Sequence, residues 1–240
     1  MAYFNRVSGA AALVAVVAIA SSGCAELLAE LGAATDSADA STPTDGLREA
    51  LRVGTGRAVD RLGRTDGYLM ADDVRIPVPE KLSKLSKALE TLGAGDYVNE
   101  FVTGMNRAAE AAAPVARDVF VDSIREMTFD DAMTILRGRD HEATDYFREH
   151  AGTRLASLFR PIVDDKLLEV GATRSFNELM DQTRKIPFVE RPAFDLTDYV
   201  TERALDGLFL RLAAEEERIR RDPVARTTEL LKKWFGAQAP

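Results

Sequence analysis

Both histidines of the chain lie in one short stretch, HEATDYFREH at residues 141–150, and each has a neighbouring carboxylate. A zinc protease helix carries two histidines four residues apart with a glutamate beside the first, so that both rings bind one metal. Here Asp145 stands where the second histidine belongs, and His150, nine residues after His141, would point to the opposite side of a helix. No other histidine could supply a third ligand. We therefore predict neither a metal site nor a catalytic residue here, but a solvated helix surface.

The other short motifs also fail as catalytic signatures. GTGRAV, residues 54–59, resembles part of a dinucleotide-binding loop, but it lacks the third glycine and follows no strand. Its glycines fit close helix packing better. With no phosphate-binding loop and no GxSxG elbow, the sequence predicts no cofactor.

Two polar clusters interrupt otherwise apolar helical stretches. In MNRAAE, Arg107 and Glu110 are three residues apart and can pair beside an alanine-rich face. In RALDGLFLRLAAEEERIRR, Asp206 precedes Gly207, and because glycine costs about 1 kcal/mol inside a helix, something should pack closely there. The combined candidate set is Asn106, Arg107, Glu110, Tyr146, Asp206, Glu215 and Glu216.

A buried charge must be paired, so we hypothesise that Arg107 meets Asp206, Glu215 or Glu216 across helices. Three interpretations stay open: a structural polar network, a ligand site made by the same residues, and surface charge. Tyr146 has helical spacing to its apolar neighbours and is expected to lie against the core.

Apolar residues at helical spacing predict an all-α fold: a single multi-helix domain at residues 44–237, with about eight to ten helices. VRIPVP, residues 74–79, is the only strand-like piece, and its two prolines make it an extended connector or at best an edge hairpin. Pro161 predicts a kink or a restart, with separate helices on either side. The last predicted helix carries Leu230, Leu231, Trp234 and Phe235.

Three residues are predicted to mark helix ends. Thr128 opens a short helix with acids in its first turn, Gly138 closes it, and Asp195 caps the helix that contains Asp206.

The N-terminal residues have the pattern of an export signal. One cation, Arg6, precedes an uncharged apolar run at residues 7–20, which is shorter than the roughly 20 residues of a membrane-spanning helix. Small residues and then Cys24, the only cysteine, follow. Residues 24–43 are small, polar and turn-rich, which predicts a flexible tether.

The stretch SSGC resembles a bacterial lipobox, in which a signal peptidase cuts before the cysteine and lipid is attached to it. The resemblance implies a lipoprotein signal peptide at residues 1–23, lipidation of Cys24, and a periplasmic domain bound to the membrane through that lipid. Ala25 after the cysteine resembles the signal for transfer to the outer membrane. Ser21 stands where the lipobox prefers an aliphatic residue. An ordinary cleaved signal and an uncleaved anchor are the alternatives.

The formal net charge is -8 and no block of lysine and arginine occurs. Removal of Arg6 with the signal would make the chain more acidic still. Because nucleic-acid phosphates require cations, we expect no nucleic-acid partner.

Five segments resemble, in order and spacing, a bacterial family catalogued as domain-of-unknown-function family 4197. They are MNRAAE, GRDHEATDYFREH, YVTERALDGLF, EEERIR and DPVARTTELLKKWFG, and the likeness runs from about Leu47 to Phe235. The resemblance implies an exported, helical and often lipidated protein, and it implies no activity.

Our leading prediction is a lipid-anchored, non-catalytic helical domain of the cell envelope that binds a protein or lipid partner. The alternatives are an enzyme that uses carboxylates near Glu110, Asp206 and Glu216, and a periplasmic carrier of an apolar ligand. An enzyme requires a solvent-reached cleft with converging carboxylates. A carrier requires an apolar cavity of several hundred cubic ångströms.

Overall fold

The computed structural model describes residues 42–91, 95–182 and 194–222. This part of the chain is all-helical and contains no strand, as the sequence predicts. None of the described helices combines the length and apolar character that crossing a membrane requires. Cys24, the signal segment and the predicted last helix with Trp234 lie outside the described residues.

Eight α-helices are described. They are α1 (Pro43–Leu62), α2 (Ser83–Thr91), α3 (Gly95–Ala112), α4 (Ala116–Glu126), α5 (Phe129–Arg137), α6 (Glu142–Glu169), α7 (Ala172–Gln182) and α8 (Leu196–Arg221). Single 3₁₀ turns, Glu80–Leu82 and Ala113–Val115, lead into α2 and α4.

The prediction of eight to ten helices overstates the number of separate helical units. Pro114 produces only a 3₁₀ turn, so α3 and α4 follow each other without a break. A turn at Val170 and Gly171 joins α6 to α7, whereas the extended backbone of Thr128 separates α5 from α4. When each such pair is counted once, the described residues contain six helical units.

Pro161 does not interrupt its helix, and the predicted restart is wrong. The helix α6 is continuous from Glu142 to Glu169, with Pro161 exposed on its surface. Phe159 and Val163, on either side, are completely buried. Their burial, at about 1.5–3 kcal/mol each, offsets the roughly 3 kcal/mol that an internal proline costs a helix.

Several predicted helix ends are confirmed by their capping contacts. The Thr128 hydroxyl accepts a hydrogen bond from the Asp131 N–H, and the Asp131 carboxylate accepts one from the Thr128 N–H, which forms a capping box at α5. Gly138 ends the same helix. Asp195 caps α8 by accepting from the Asp198 N–H.

The helices α6 and α8 pack against each other, and α3 packs against α6, so these three long helices enclose the core. Four phenylalanines are almost completely buried among them and α4: Phe101, Phe120, Phe147 and Phe159. Phe120 and Phe147 meet edge to face, with ring centroids 5.0 Å apart.

The loop that joins α1 to α2 packs against α3 and α8. Its last part, residues 75–79, has neither helix nor strand pairing, which agrees with the connector predicted for VRIPVP. Tyr68, Val74 and Ile76 of this loop are buried, so the loop belongs to the core. We call residues 73–81 the connector.

Candidate functional site

Asn106 fixes the connector to α3. Its side chain is fully buried, and its oxygen accepts a hydrogen bond of 2.9 Å from the Ile76 N–H. Its amide nitrogen donates to the Ile76 carbonyl at 2.9 Å and to the Val102 carbonyl at 2.8 Å. The side chain therefore satisfies both backbone groups of Ile76, as a neighbouring strand would.

Glu110, one turn further along α3, holds the first half of the same loop. One carboxylate oxygen accepts from the N–H groups of Tyr68 and Leu69, each at 3.1 Å. The other accepts from the Arg107 guanidinium at 2.6 Å. The buried carboxylate thus has a cation and two backbone donors as partners, which offsets the loss of its hydration.

Arg107 does not cross to α8, so the pairing expected from the sequence is wrong. It binds Glu110 in its own helix and Asp66 in the loop, the latter at 2.7 Å. The hydrogen bond to Glu110 is the main cause that raises the pKa of Arg107 above its usual value. Asp66 is placed for this contact by a left-handed backbone, with φ of 66°.

Glu216 performs a similar task at the start of α6. It accepts hydrogen bonds from the N–H groups of Ala143 and Thr144, at 3.1 and 3.0 Å, and from the Thr144 hydroxyl at 2.9 Å. Arg220, four residues on, donates to it as well. His141, at the N-cap position, makes no capping bond through its own side chain. The carboxylate that caps α6 therefore comes from α8.

The remaining candidate residues lie away from Asn106, Glu110 and Glu216. Asp206 is 53% exposed and pairs with Arg203 at 3.3 Å and Arg148 at 4.0 Å. Glu215 pairs with Arg218 and, at 4.0 Å, with Arg57 of α1. The carboxylates of Glu110, Asp206 and Glu216 thus have separate partners and do not converge on one point.

Tyr146, on α6, lies apart from the other candidate residues. Its ring stacks on His150, with centroids 4.1 Å apart, and its hydroxyl donates a long hydrogen bond of 3.4 Å to the Ser123 carbonyl. Partial burial is the main cause that raises the pKa of its hydroxyl. Tyr146 packs against the core, as expected, but does not join the other candidates.

An open groove of about 1140 Å³ runs along α8, and we call it the α8 groove. The connector forms one wall, and the first turns of α6, from His141 to Arg148, form the other. Its apolar lining includes Phe194, Tyr199 and the exposed Leu210.

Two buried polar side chains from the candidate set fix the positions of both groove walls. Asn106 holds the connector at Ile76, and Glu216 holds the start of α6. Two further contacts, absent from the sequence prediction, secure the connector: Arg211 donates to Asp73 at 2.6 Å, and the Tyr199 hydroxyl donates to the Pro77 carbonyl at 3.0 Å.

Charged side chains line the α8 groove, and carboxylates outnumber cations. The carboxylates are Asp73, Glu80, Asp145, Asp195, Asp198, Glu202 and Asp206, and the cations are Arg75, Lys81, Arg148 and Arg203. Two of the arginines lie over aromatic rings: Arg148 over Phe209, 4.4 Å from the centroid, and Arg203 over Tyr199, at 6.0 Å.

Tyr68 is the main structural residue that the sequence prediction missed. It is fully buried in the α1–α2 loop, and its hydroxyl donates a 2.7 Å hydrogen bond to the Ala204 carbonyl of α8. Burial raises the pKa of this hydroxyl far above its usual range, which keeps it a donor. Gly207, where close packing was predicted, lies against Tyr68 and Val74, so that prediction is confirmed.

One apolar pocket between the described helices is small. It lies between α1, α5, α6 and α8, next to Leu51 and Leu212, and holds about 20 Å³. That volume is close to one water molecule and far below the several hundred cubic ångströms of a carrier cavity.

Neither the curated proteins nor the solved structures contain a match to this chain. One family model does match, and it is described as "Protein of unknown function (DUF4197)". The match covers residues 37–236, which include all the described helices and the groove. The chain belongs to the DUF4197 family.

Proposed function

We propose that the protein is a non-catalytic binding domain of the bacterial cell envelope, tethered to a membrane by lipid on Cys24. The α8 groove takes a segment of a partner protein. One observation carries the binding part of this proposal: buried polar side chains on α3 and α8 hold both walls of an open groove in place. A fixed concave surface binds a partner without the ordering cost of a mobile one.

The buried carboxylates support binding over catalysis. Glu110 and Glu216 are saturated by backbone donors and arginines, so neither has a free oxygen aimed at a substrate. A general acid or base must reach the reacting proton. Asp206 is in the groove, but it pairs with two arginines there.

The groove also has features common to protein-binding surfaces. Leu210 is 47% exposed at its floor, and the rings of Phe194 and Tyr199 lie 5.5 Å apart at one end. Apolar and aromatic contacts within a polar rim supply much of the affinity in protein interfaces.

The membrane anchor rests on the sequence alone. Residues 1–23 and Cys24 have the order of a lipoprotein signal, and the predicted tether precedes the first of the described helices, which begins at Pro43. Several acyl chains, at about 0.8 kcal/mol for each buried methylene, would hold the domain at a bilayer.

The test compares two exposed leucines on helix surfaces. Leu210→Glu changes the groove, and Leu168→Glu changes α6 outside it, where the side chain is 60% exposed. Each tagged full-length chain is solubilised mildly from its host membrane. Mass spectrometry then identifies the co-purifying proteins and measures the mass of the peptide that contains Cys24, which reports acylation. We expect a partner that is lost with Leu210→Glu and retained with Leu168→Glu, and an acylated cysteine.

Circular dichroism of both variants checks that the helices stay folded. Equal recovery of every co-purifying protein from both variants would overturn the groove as the binding surface. An unmodified, freely soluble chain would overturn the anchor and leave the groove test intact.

A further inference from the structure

We infer that the C-terminal segment of the same chain, residues 223–236, occupies the α8 groove when no partner fills it. This inference rests on the proposed function and adds its regulation, since a partner must displace a segment that is already bound. Residues 223–240 lie outside the described residues, and their sequence together with the described end of α8 carries the inference.

The helix α8 ends at a residue that suits the start of another helix. Arg221 is its last residue, and Asp222 has an extended backbone, with φ of -102° and ψ of 110°. An aspartate in that conformation is typical of a helix N-cap, and Pro223 follows at the first helical position, where proline is favoured. Arg221 also pairs with Asp140, just before α6, so the chain leaves α8 beside one wall of the groove.

The predicted last helix has one apolar face. Leu230, Leu231, Trp234 and Phe235 have the spacing of neighbours on one side of a helix, and the charged residues of the segment fall on the other side. A helix of about 13 residues is marginal in water by itself, so most of its stability must come from packing of the apolar face against another surface.

The helix α8 offers an apolar patch that such a face could cover. Its other sides pack against α3 and α6. Between Asp206 and Arg221, every exposed or half-exposed residue is charged except Leu210, Ala213 and Ala214. Leu210 and Ala213 line the groove. A helix that turns back along the exposed side of α8 therefore meets apolar surface at these residues.

The spacing along the chain brings the two apolar surfaces level. In antiparallel helices joined by a short turn, residues at equal distances from the turn lie side by side, because both helices rise about 1.5 Å per residue. A turn centred between Asp222 and Val224 places Trp234 beside residues 210–214. Trp234 then lies at the end of the groove that is nearest to Arg221.

A helix suits this groove better than an extended segment does. Asn106 occupies both the N–H and the carbonyl of Ile76, and the Tyr199 hydroxyl donates to the carbonyl of Pro77, which has no N–H of its own. The connector therefore has few backbone groups with which to pair an added strand. A helix satisfies its own backbone and needs only side-chain contacts from the groove walls.

A segment that belongs to the same chain has an advantage over a separate partner. A short tether gives it an effective concentration of about a millimolar, so even weak contacts keep the groove occupied. The apparent affinity for the partner is then lowered by the fraction of molecules in which the groove is free. The C-terminal segment thus sets a threshold that a partner must exceed.

The test uses Trp234, which is the only tryptophan of the chain. Its emission wavelength and its quenching by acrylamide are measured on the full chain in one mild detergent, without a partner. Leu210→Glu places a charge in the apolar patch, and Leu168→Glu places one on an exposed part of α6 outside the groove. Circular dichroism checks that both variants keep their helices.

We expect Trp234 in the wild type and in Leu168→Glu to emit at shorter wavelength, and to be quenched at least about threefold less, than in Leu210→Glu. A carboxylate placed against the indole should shift the docking equilibrium at least about tenfold towards the undocked state. Trp234→Ser, which removes the largest docking contact, should increase the recovery of the co-purifying partner.

Equal quenching of Trp234 in the two leucine variants would overturn the inference, and this is also the result if detergent rather than the groove covers the ring. Lower recovery of the partner with Trp234→Ser would overturn it as well. If Leu210→Glu removes the partner but leaves Trp234 unchanged, the proposed function survives and this inference fails. If Leu210→Glu exposes Trp234 but every co-purifying protein remains, the groove serves only its own chain.

Discussion

The ring of Tyr68 lies against the backbone of Gly207, so closely that a Cβ atom at Gly207 would be 2.8 Å from Cε1 of the ring. The Cβ atom of Val74, in the same loop, would lie 3.2 Å from a Cβ atom added at Gly207. The contact joins the α1–α2 loop to the middle of α8 and brings the connector to the groove. It explains why a glycine is found inside a long helix.

Gly207→Ala should therefore destabilise the fold. Helix propensity alone would favour alanine by about 1 kcal/mol, but overpacking against a buried tyrosine costs about 1–3 kcal/mol and leaves a net loss. Urea denaturation measures the difference. The matched control is Gly152→Ala on α6, where a Cβ meets no atom within 4 Å and stability should rise. If Gly207→Ala were stabilised as well as Gly152→Ala, the contact between Tyr68 and Gly207 would not be tight.

Asn106→Leu should loosen the connector. The change leaves the N–H and carbonyl of Ile76 buried without partners, which costs about 1–3 kcal/mol for each group. We expect a lower free energy of unfolding and faster hydrogen exchange at the Ile76 amide. Asn99→Leu, at an exposed position of α3, is the control and should change neither quantity. An unchanged rate of hydrogen exchange at the Ile76 amide in Asn106→Leu would contradict the role assigned to Asn106.

Glu216→Gln should weaken the start of α6. The amide keeps the size of the side chain but places an NH₂ group among donors from Ala143, Thr144 and Arg220. Loss of charge-assisted hydrogen bonds costs about 1.5–3 kcal/mol. The neighbouring Glu217→Gln, which breaks only an exposed pair with Arg221, should cost under about 1 kcal/mol. Thermal unfolding compares the two, and similar losses would argue against the capping role.

The capping box of α5 should make stability depend on pH in acid. Hydrogen bonds from the Thr128 backbone and hydroxyl hold the pKa of Asp131 below its ordinary value of 3.8. The unfolded chain then binds this proton more readily, so the contribution is complete above about pH 4 and is lost as pH falls further. Asp131→Asn should flatten the acid side of the pH–stability curve, and Asp130→Asn should not. Identical curves for wild type and Asp131→Asn would contradict this.

Local signals predicted much of the fold because they depend on near neighbours. Thr128, Gly138 and Asp195 mark helix ends by chemistry that operates within one turn, and each end is confirmed. Pro161 misled the prediction because the burial of Phe159 and Val163, a tertiary effect, outweighs the local cost of the proline.

The candidate site was predicted only in part. A buried Asn, Arg or Glu in an apolar helix is visible in sequence as a group that needs a partner, and Asn106, Glu110 and Glu216 all have one. Their partners are mainly backbone N–H groups of distant loops, which carry no residue-specific signal, so the expected pairing of Arg107 with α8 was wrong. The groove joins the connector to α8, and no pattern in either segment indicates that they meet.

Glu216 follows Thr144, which it caps, by 72 residues, and the Ala204 carbonyl follows Tyr68 by 136. During synthesis the front of α6 and the α1–α2 loop both emerge long before the helix that secures them. Until α8 is complete, the start of α6 lacks the Glu216 carboxylate and the Tyr68 hydroxyl lacks its acceptor, while Asn106 and Glu110 of α3 already hold the loop. The surface assigned to recognition is therefore among the last parts of the molecule to become organised, and a chain that ends prematurely would not display it.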